Sequence, residues 1–387
     1  MQPGYLLASV LLLAGSAAAQ ETAALADTPK IEALDPNMAA QEPGTNRVWY
    51  NGLDLGVEGQ GWKDVASPFD RLPGRAEGVV RDPVWSLSRR SAGLCLRFVT
   101  NADAIAARWT LRNEELAMDH MAATGVSGLD LYVRENSQWR WVAVGKPTKF
   151  PTNEVSLIQK IKPGPHEYLL YLPLYNGVES LEIGVAQNVT IAKAPPRPVG
   201  SKPICFYGTS ITQGGCAARP GMAYAAILGR WLDVETINLG FSGNGEMEPE
   251  MAELISELDA AVFVLDCLPN MDADQINERY VKFVQRLRER RPETPLVIVG
   301  HIIPQNLWFS GERSQKLGDK AAAIETAFKT LREQNVPGLH FVAGESLLGQ
   351  DGEDTVDGVH PTDLGFKRIA EALYPVLKAL LNSKNSG

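Results

Sequence analysis

Clustered positive charge is missing from this sequence. Its 37 lysines and arginines are outnumbered by 46 aspartates and glutamates, giving a formal net charge of -9. Without a basic cluster to neutralise phosphates, nucleic acid and anionic membrane surfaces are poor partners, and a neutral or weakly charged ligand fits better. Cysteine is scarce as well. Four in 387 residues make no disulfide framework, and no Cys/His spacing matches a zinc site. Cys205 and Cys267 sit in apolar runs that read as buried strands, Cys95 lies in another strand-like stretch, and Cys216 lies in a glycine-rich loop; pairing between any two stays open. Long apolar runs are also absent. No stretch approaches the roughly 20 apolar residues of a membrane helix, so no membrane anchoring is expected. The apolar run 6–14 is too short to span a bilayer, and Ser16, Ala17, Ala18 and Ala19 follow it. That pattern reads as a secretory signal peptide over residues 1–19, and hence as a secreted or periplasmic protein, although residues 1–5 contain no lysine or arginine.

What is present falls into two rhythms. Residues 20–46 are rich in Ala, Pro, Asp and Glu without periodicity and read as a linker or disordered segment. Over 47–195, short β-type runs at 94–99, 104–109, 129–133, 139–144, 168–172 and 181–185 are separated by turn residues, which predicts an antiparallel, jelly-roll-like β-sandwich. Pro195, Pro196, Pro198 and Pro203 then mark a stiff connection. From 202 to 384, apolar strands at 204–207, 234–238, 261–266, 296–299 and 339–342 alternate with helical segments at 222–232, 248–258, 273–290, 314–334 and 362–381. This predicts an α/β fold of three layers, flavodoxin-like, with about five parallel strands. In such a sheet ligands bind beyond the carboxyl ends of the strands.

Four segments beyond those ends carry chemistry-bearing residues. Ser210 follows the first strand in Gly208-Thr209-Ser210-Ile211-Thr212-Gln213-Gly214-Gly215, a turn that exposes a hydroxyl and can aim backbone amides at an oxyanion. Taken alone it reads first as a helix-capping serine. No Lys-Ser/Thr pair follows Gly215, so this is not a phosphate loop, and the glycine spacing is not that of a dinucleotide fingerprint. Gly240, Gly243 and Gly245 follow the second strand, where the Gly243 amide is a candidate oxyanion donor. Asn270 follows the third strand. Asp357 stands three residues ahead of His360, directly before the last helix. That spacing lets the carboxylate accept the Nδ1 hydrogen and leaves Nε2 facing a nucleophile.

These blocks resemble the SGNH/GDSL hydrolases over about residues 204–381. Thr209 replaces the aspartate of the family's Gly-Asp-Ser, and Met271 stands where many members carry Asp. Upstream, Gly128-Leu129-Asp130-Leu131-Tyr132 is similar to the Gly-x-Asp-Leu-Tyr signature of an amino-terminal domain found in a bacterial subgroup. The resemblance implies a serine esterase with Ser210, Asp357 and His360 catalytic, an oxyanion hole made by Ser210, Gly243 and Asn270, and no cofactor or metal. Of the remaining histidines, His301 reads as structural, while the loop around His120, with Arg112 and Asn113, is a candidate wall of the acyl pocket.

The expected substrate is a short-chain, acetyl-type ester on a small molecule or polysaccharide. A lipid acylhydrolase with longer acyl chains and a non-catalytic carbohydrate-binding protein are the alternatives. Oligomeric state is not legible.

Overall fold

The computed structural model describes residues 39–41, 46–198, 200–309 and 311–384. The expected signal peptide, and most of the expected linker, lie outside the described residues.

The chain enters an antiparallel β region through β1 (Ala39–Gln41), β2 (Arg47–Asn51) and β3 (Val57–Glu58). After helix α1 (Asp82–Ser88) it continues through β4 (Cys95–Thr100) and β5 (Ala104–Leu111). A single-turn helix, α2 (Ala123–Val126), precedes β6 (Leu129–Glu135), β7 (Gln138–Gly145), β8 (Thr152–Gln159), β9 (His166–Tyr171), β10 (Val178–Ala186) and β11 (Ile191–Lys193). These strands make two sheets, ordered β1-β2-β10-β5-β8 and β11-β4-β9-β6-β7, with β3 pairing β4. Trp109, Phe98, Leu96, Leu131, Leu170 and Ile183 fill the space between them. The short strand β1 lies inside the stretch read from sequence as linker, where Ala40 pairs with Trp49.

The second unit carries five parallel strands: β12 (Ile204–Gly208), β13 (Thr236–Gly240), β14 (Val262–Asp266), β15 (Leu296–Val299) and β16 (Leu339–Val342), ordered β13-β12-β14-β15-β16. Side chains alternate across the pleat. Ile204 and Phe206 therefore join one core with helices α4 (Tyr224–Leu232) and α8 (Asp363–Lys384), while Cys205 and Tyr207 join another with α5 (Pro249–Glu257), α6 (Ala273–Arg290) and α7 (Gly311–Glu333). Between β12 and α4 runs the four-residue helix α3 (Ser210–Gln213). The chain steps to one side of β12 and then to the other, so the switch point lies where β12 ends and Ser210 begins.

The two units interlock. Trp62, Leu72, Ala76, Val80 and Val84, between β2 and β4, pack into the core of the parallel sheet and not into the sandwich. Arg71, from the same segment, is fully buried and donates to the carbonyls of Asn238 (3.0 Å), Gly240 (2.7 Å), Leu87 (2.7 Å) and Arg90 (2.8 Å). It thereby ties the carboxyl end of β13 to the first unit. Among the described residues no helix is long and apolar enough to cross a membrane.

Candidate active site

Ser210 stands on the first residue of its short helix, immediately after β12. Thr209 caps that helix: its hydroxyl accepts from the Ile211 amide at 3.2 Å, and Thr212 Oγ1 accepts from the Thr209 amide at 3.3 Å. A threonine hydroxyl thus does here what an aspartate carboxylate does at other helix starts. Gly214, at φ +106°, closes the turn in the left-handed region. The Ser210 carbonyl accepts from the Gly214 and Gly215 amides and from the Tyr175 hydroxyl at 3.4 Å. What this leaves exposed to chemistry is the side chain and the helix-start N–H groups, which have no acceptor within a helix.

The Ser210 hydroxyl lies 2.9 Å from His360 Nε2. His360 Nδ1 lies 2.7 Å from Asp357 Oδ2, and the other carboxylate oxygen accepts from the amides of His360 (2.8 Å) and Val359 (3.0 Å). Burial raises the Asp357 pKa, but the ring and amide hydrogen bonds outweigh it and hold the carboxyl at about 2. A carboxylate that stays ionised keeps Nδ1 protonated and Nε2 turned to the serine.

The turn after β13 supplies the second segment. Gly240 and Gly245 let it press against the nucleophile turn, because a Cβ on either would fall within 2.1 Å of Gln213 N or 2.0 Å of Gly208 O respectively. Gly243 is exposed, with φ +68°, and a Cβ there would meet nothing within 4 Å, so the loop is open at this residue. Gln213 braces the same loop from behind, accepting from Ser242 N (3.0 Å) and donating to Leu174 O (3.0 Å). Asn270 donates one amide hydrogen to Phe241 O at 3.3 Å, which places it beside that loop with a second hydrogen to offer. Lys320 fixes the turn carrying it through the carbonyls of Leu268 (3.4 Å) and Pro269 (3.3 Å). Lys320 also approaches His301 Nε2 at 3.5 Å, and burial lowers the His301 pKa to about 4; His301 is a neutral brace.

His120 reaches the site from the sandwich. Its ring meets that of His360 edge-on, with centroids 5.8 Å apart, while Met121 Sδ accepts from Cys216 N at 3.4 Å. Arg112 and Asn113, expected on the same wall, are drawn elsewhere, Arg112 to Asp70 and Glu179 and Asn113 to Asn176. A cavity of about 630 Å³ lies beside the Asp357 to His360 turn, lined by Pro304, Gln305, Trp308 and Leu348 among others. Ser210 and His360 are not in its lining, and the Gln305 amide bonds the Gly358 carbonyl at 3.1 Å.

Several contributors had no visible signal in the sequence. Arg71 sits in an unremarkable loop, and Asp266 reads as the end of a strand. Asp266 is fully buried, accepts from Thr212 Oγ1 and Tyr224 Oη at 2.9 Å each, and burial lifts its pKa to about 7 against those two hydrogen bonds. It underpins Thr212, the partner of Thr209 in the capping box of the nucleophile turn.

Fold and site define a class, a parallel α/β domain with SGNH layout behind an antiparallel sandwich. Residues 201–378 match the family of GDSL-like lipases/acylhydrolases, and residues 47–191 match GxDLY, the N-terminus of SGNH-hydrolase-type esterases. A Bacteroides ovatus ATCC 8483 protein described as a GDSL-like lipase is 36% identical, covering 87% of this chain and 98% of its own, with a TM-score of 0.82. A salicylyl-acyltransferase from a tetracycline biosynthetic pathway is 20% identical over 87% of this chain and 98% of that one, with a TM-score of 0.67. A family two carbohydrate esterase from Cellvibrio japonicus is 15% identical with the same coverage and a TM-score of 0.56. These last two share the fold. No curated protein matches the chain. The chain belongs to the GDSL-like lipase/acylhydrolase family, as an SGNH-type esterase with a GxDLY amino-terminal domain.

Proposed function

We propose that the protein is an exported serine esterase that removes short acyl groups, acetyl above all, from carbohydrate. The observation that carries the chemistry is the unbroken chain from Ser210 Oγ to His360 Nε2 (2.9 Å) and from His360 Nδ1 to Asp357 (2.7 Å). Ser210 Oγ attacks the ester carbonyl carbon as its proton passes to His360 Nε2. The resulting oxyanion is held by the amides of Ser210 and Gly243 and by the Asn270 side chain. Collapse expels the alcohol, which takes the proton from His360 and leaves an acyl-serine. Water then repeats the cycle to release the acid.

Support for a hydroxylated alcohol comes from what flanks the serine. His120 and Asn270 offer hydrogen bonds, and Trp308, which lines the neighbouring cavity, lies against Phe309 with both rings more than 80% exposed, an aromatic surface that suits a sugar ring. The apolar run 6–14 and the small residues after it support export. Initial rates on acetylated oligosaccharide, nitrophenyl acetate and nitrophenyl laurate test the assignment. We expect acetate release from the sugar and at least a tenfold preference, about 1.4 kcal/mol, for acetyl over lauroyl. Faster turnover of the long chain would make the enzyme a lipid acylhydrolase.

A further inference from the structure

We propose that His120, Cys216 and His360 form a site for a zinc-class divalent ion, and that its occupation takes the base away from Ser210 and switches the esterase off. The inhibition rests on the function proposed above; the binding does not.

One ligand atom from each of the three residues lies within 4.8 Å of the other two. Imidazole nitrogen and cysteine sulfur are the donors zinc prefers, and three protein ligands with an open fourth position is a stable arrangement for it. With Zn–N near 2.05 Å and Zn–S near 2.3 Å, tetrahedral ligand atoms stand roughly 3.3–3.6 Å apart. The site must therefore close by about an ångström. His120, exposed at the tip of the Met118 to Met121 turn, is the partner able to move.

Two features favour the site over a chance cluster. His360 is already oriented by Asp357 through Nδ1, the carboxylate-to-histidine pairing that supports zinc ligands, and that carboxylate offsets the incoming positive charge. Cys216 is the second feature. Its backbone has φ +73°, where glycine is the unstrained choice, yet the position carries a thiol turned into the site. On binding, the thiol proton leaves to solvent and a metal–sulfur bond replaces the S–H bond, with no change in oxidation state. His360 Nε2 gives its lone pair to the ion and can no longer accept the Ser210 proton.

The test uses the whole reduced protein, its Ser210→Ala variant, Cys216→Gly, which suits the left-handed backbone, and His120→Ala. Cobalt(II) should produce a thiolate-to-metal charge-transfer absorption in the wild type and in Ser210→Ala but not in Cys216→Gly. Zinc should inhibit ester hydrolysis, with the half-inhibiting concentration raised at least about tenfold in Cys216→Gly, whose metal-free turnover persists, and in His120→Ala when read against that variant's own metal-free rate. Absence of the absorption, or equal zinc sensitivity of wild type and both variants, overturns the site. A wild type that hydrolyses no ester but shows the cobalt absorption would overturn the esterase assignment while leaving the metal site standing.

Discussion

At the scale of single residues, the site is built from small, short-range constraints. Thr209 caps, Gly214 reverses the chain, and Asp357 fixes a ring; none of these needs a distant part of the sequence, which is why Ser210, Asp357 and His360 could be picked as candidates once their local motifs were taken together with their order after the strands of one sheet. Asn270 could be picked only through its position after a strand, and its role is open to direct measurement. Asn270→Ala should lower kcat by about 10²- to 10³-fold, the usual cost of one oxyanion donor, with the circular dichroism spectrum unchanged; a turnover equal to wild type would remove Asn270 from the hole. Asp266 was illegible because its effect depends on burial at 5% exposure and on two hydroxyls from elsewhere in the chain. Its pKa near 7 has a definite sign. The unfolded carboxyl, with its ordinary value of 3.8, loses its proton first as pH rises, so between about pH 4 and 7 the native state holds more protons and stability falls with pH. Asp266→Asn should therefore flatten the decline in Tm between pH 5 and pH 8. An unchanged slope would show that Asp266 carries no such shift.

At the scale of elements, β6 explains why a five-residue signature can mark a whole domain. Strand alternation turns Leu129 and Leu131 into the sandwich core and Asp130 and Tyr132 out towards the parallel sheet. Asp130 accepts from Gly221 N (2.8 Å), Arg219 Nη1 (2.8 Å) and Trp141 Nε1 (2.9 Å), and Tyr132 Oη bonds the same Arg219. Gly128 is needed because a Cβ would strike the carbonyls of Thr124 and Gly145. The signature is thus a clamp on residues 219–221, just downstream of the nucleophile turn. Asp130→Ala takes the acceptor from the buried Gly221 amide and the carboxylate from the half-buried Arg219, and should cost about 1–3 kcal/mol, read as a lower denaturant midpoint; a midpoint within error of wild type would contradict the clamp.

Element boundaries were less legible than element types. The helix at 273–290 begins at an Asp272/Gln275 capping box and matches its expected limits. The second parallel strand, expected at 234–238, runs instead at Thr236–Gly240, because Asp233 ends the preceding helix in the left-handed region and Val234 only returns a bond to Gly229. Strand β8 went unseen because its Asn, Glu, Ser and Gln positions dilute the apolar pattern of a half-exposed edge strand.

At the scale of the molecule, two local rhythms are legible as two units, but their interlocking is not. Residues 52–92 have no strong periodicity, and only the tertiary structure sends Trp62, Leu72 and Val84 into the parallel-sheet core and Arg71 under the end of β13. The sandwich is therefore part of the machinery in two ways, bracing the loop that carries Gly243 and delivering His120 to the site. All of this matters functionally only if Ser210 is the nucleophile. The direct measurement is the initial rate of nitrophenyl acetate hydrolysis by the wild type and by Ser210→Ala, both shown to be folded. Turnover by the wild type that falls by about 10⁴-fold or more in the variant is the predicted result; equal rates for the two proteins would contradict it.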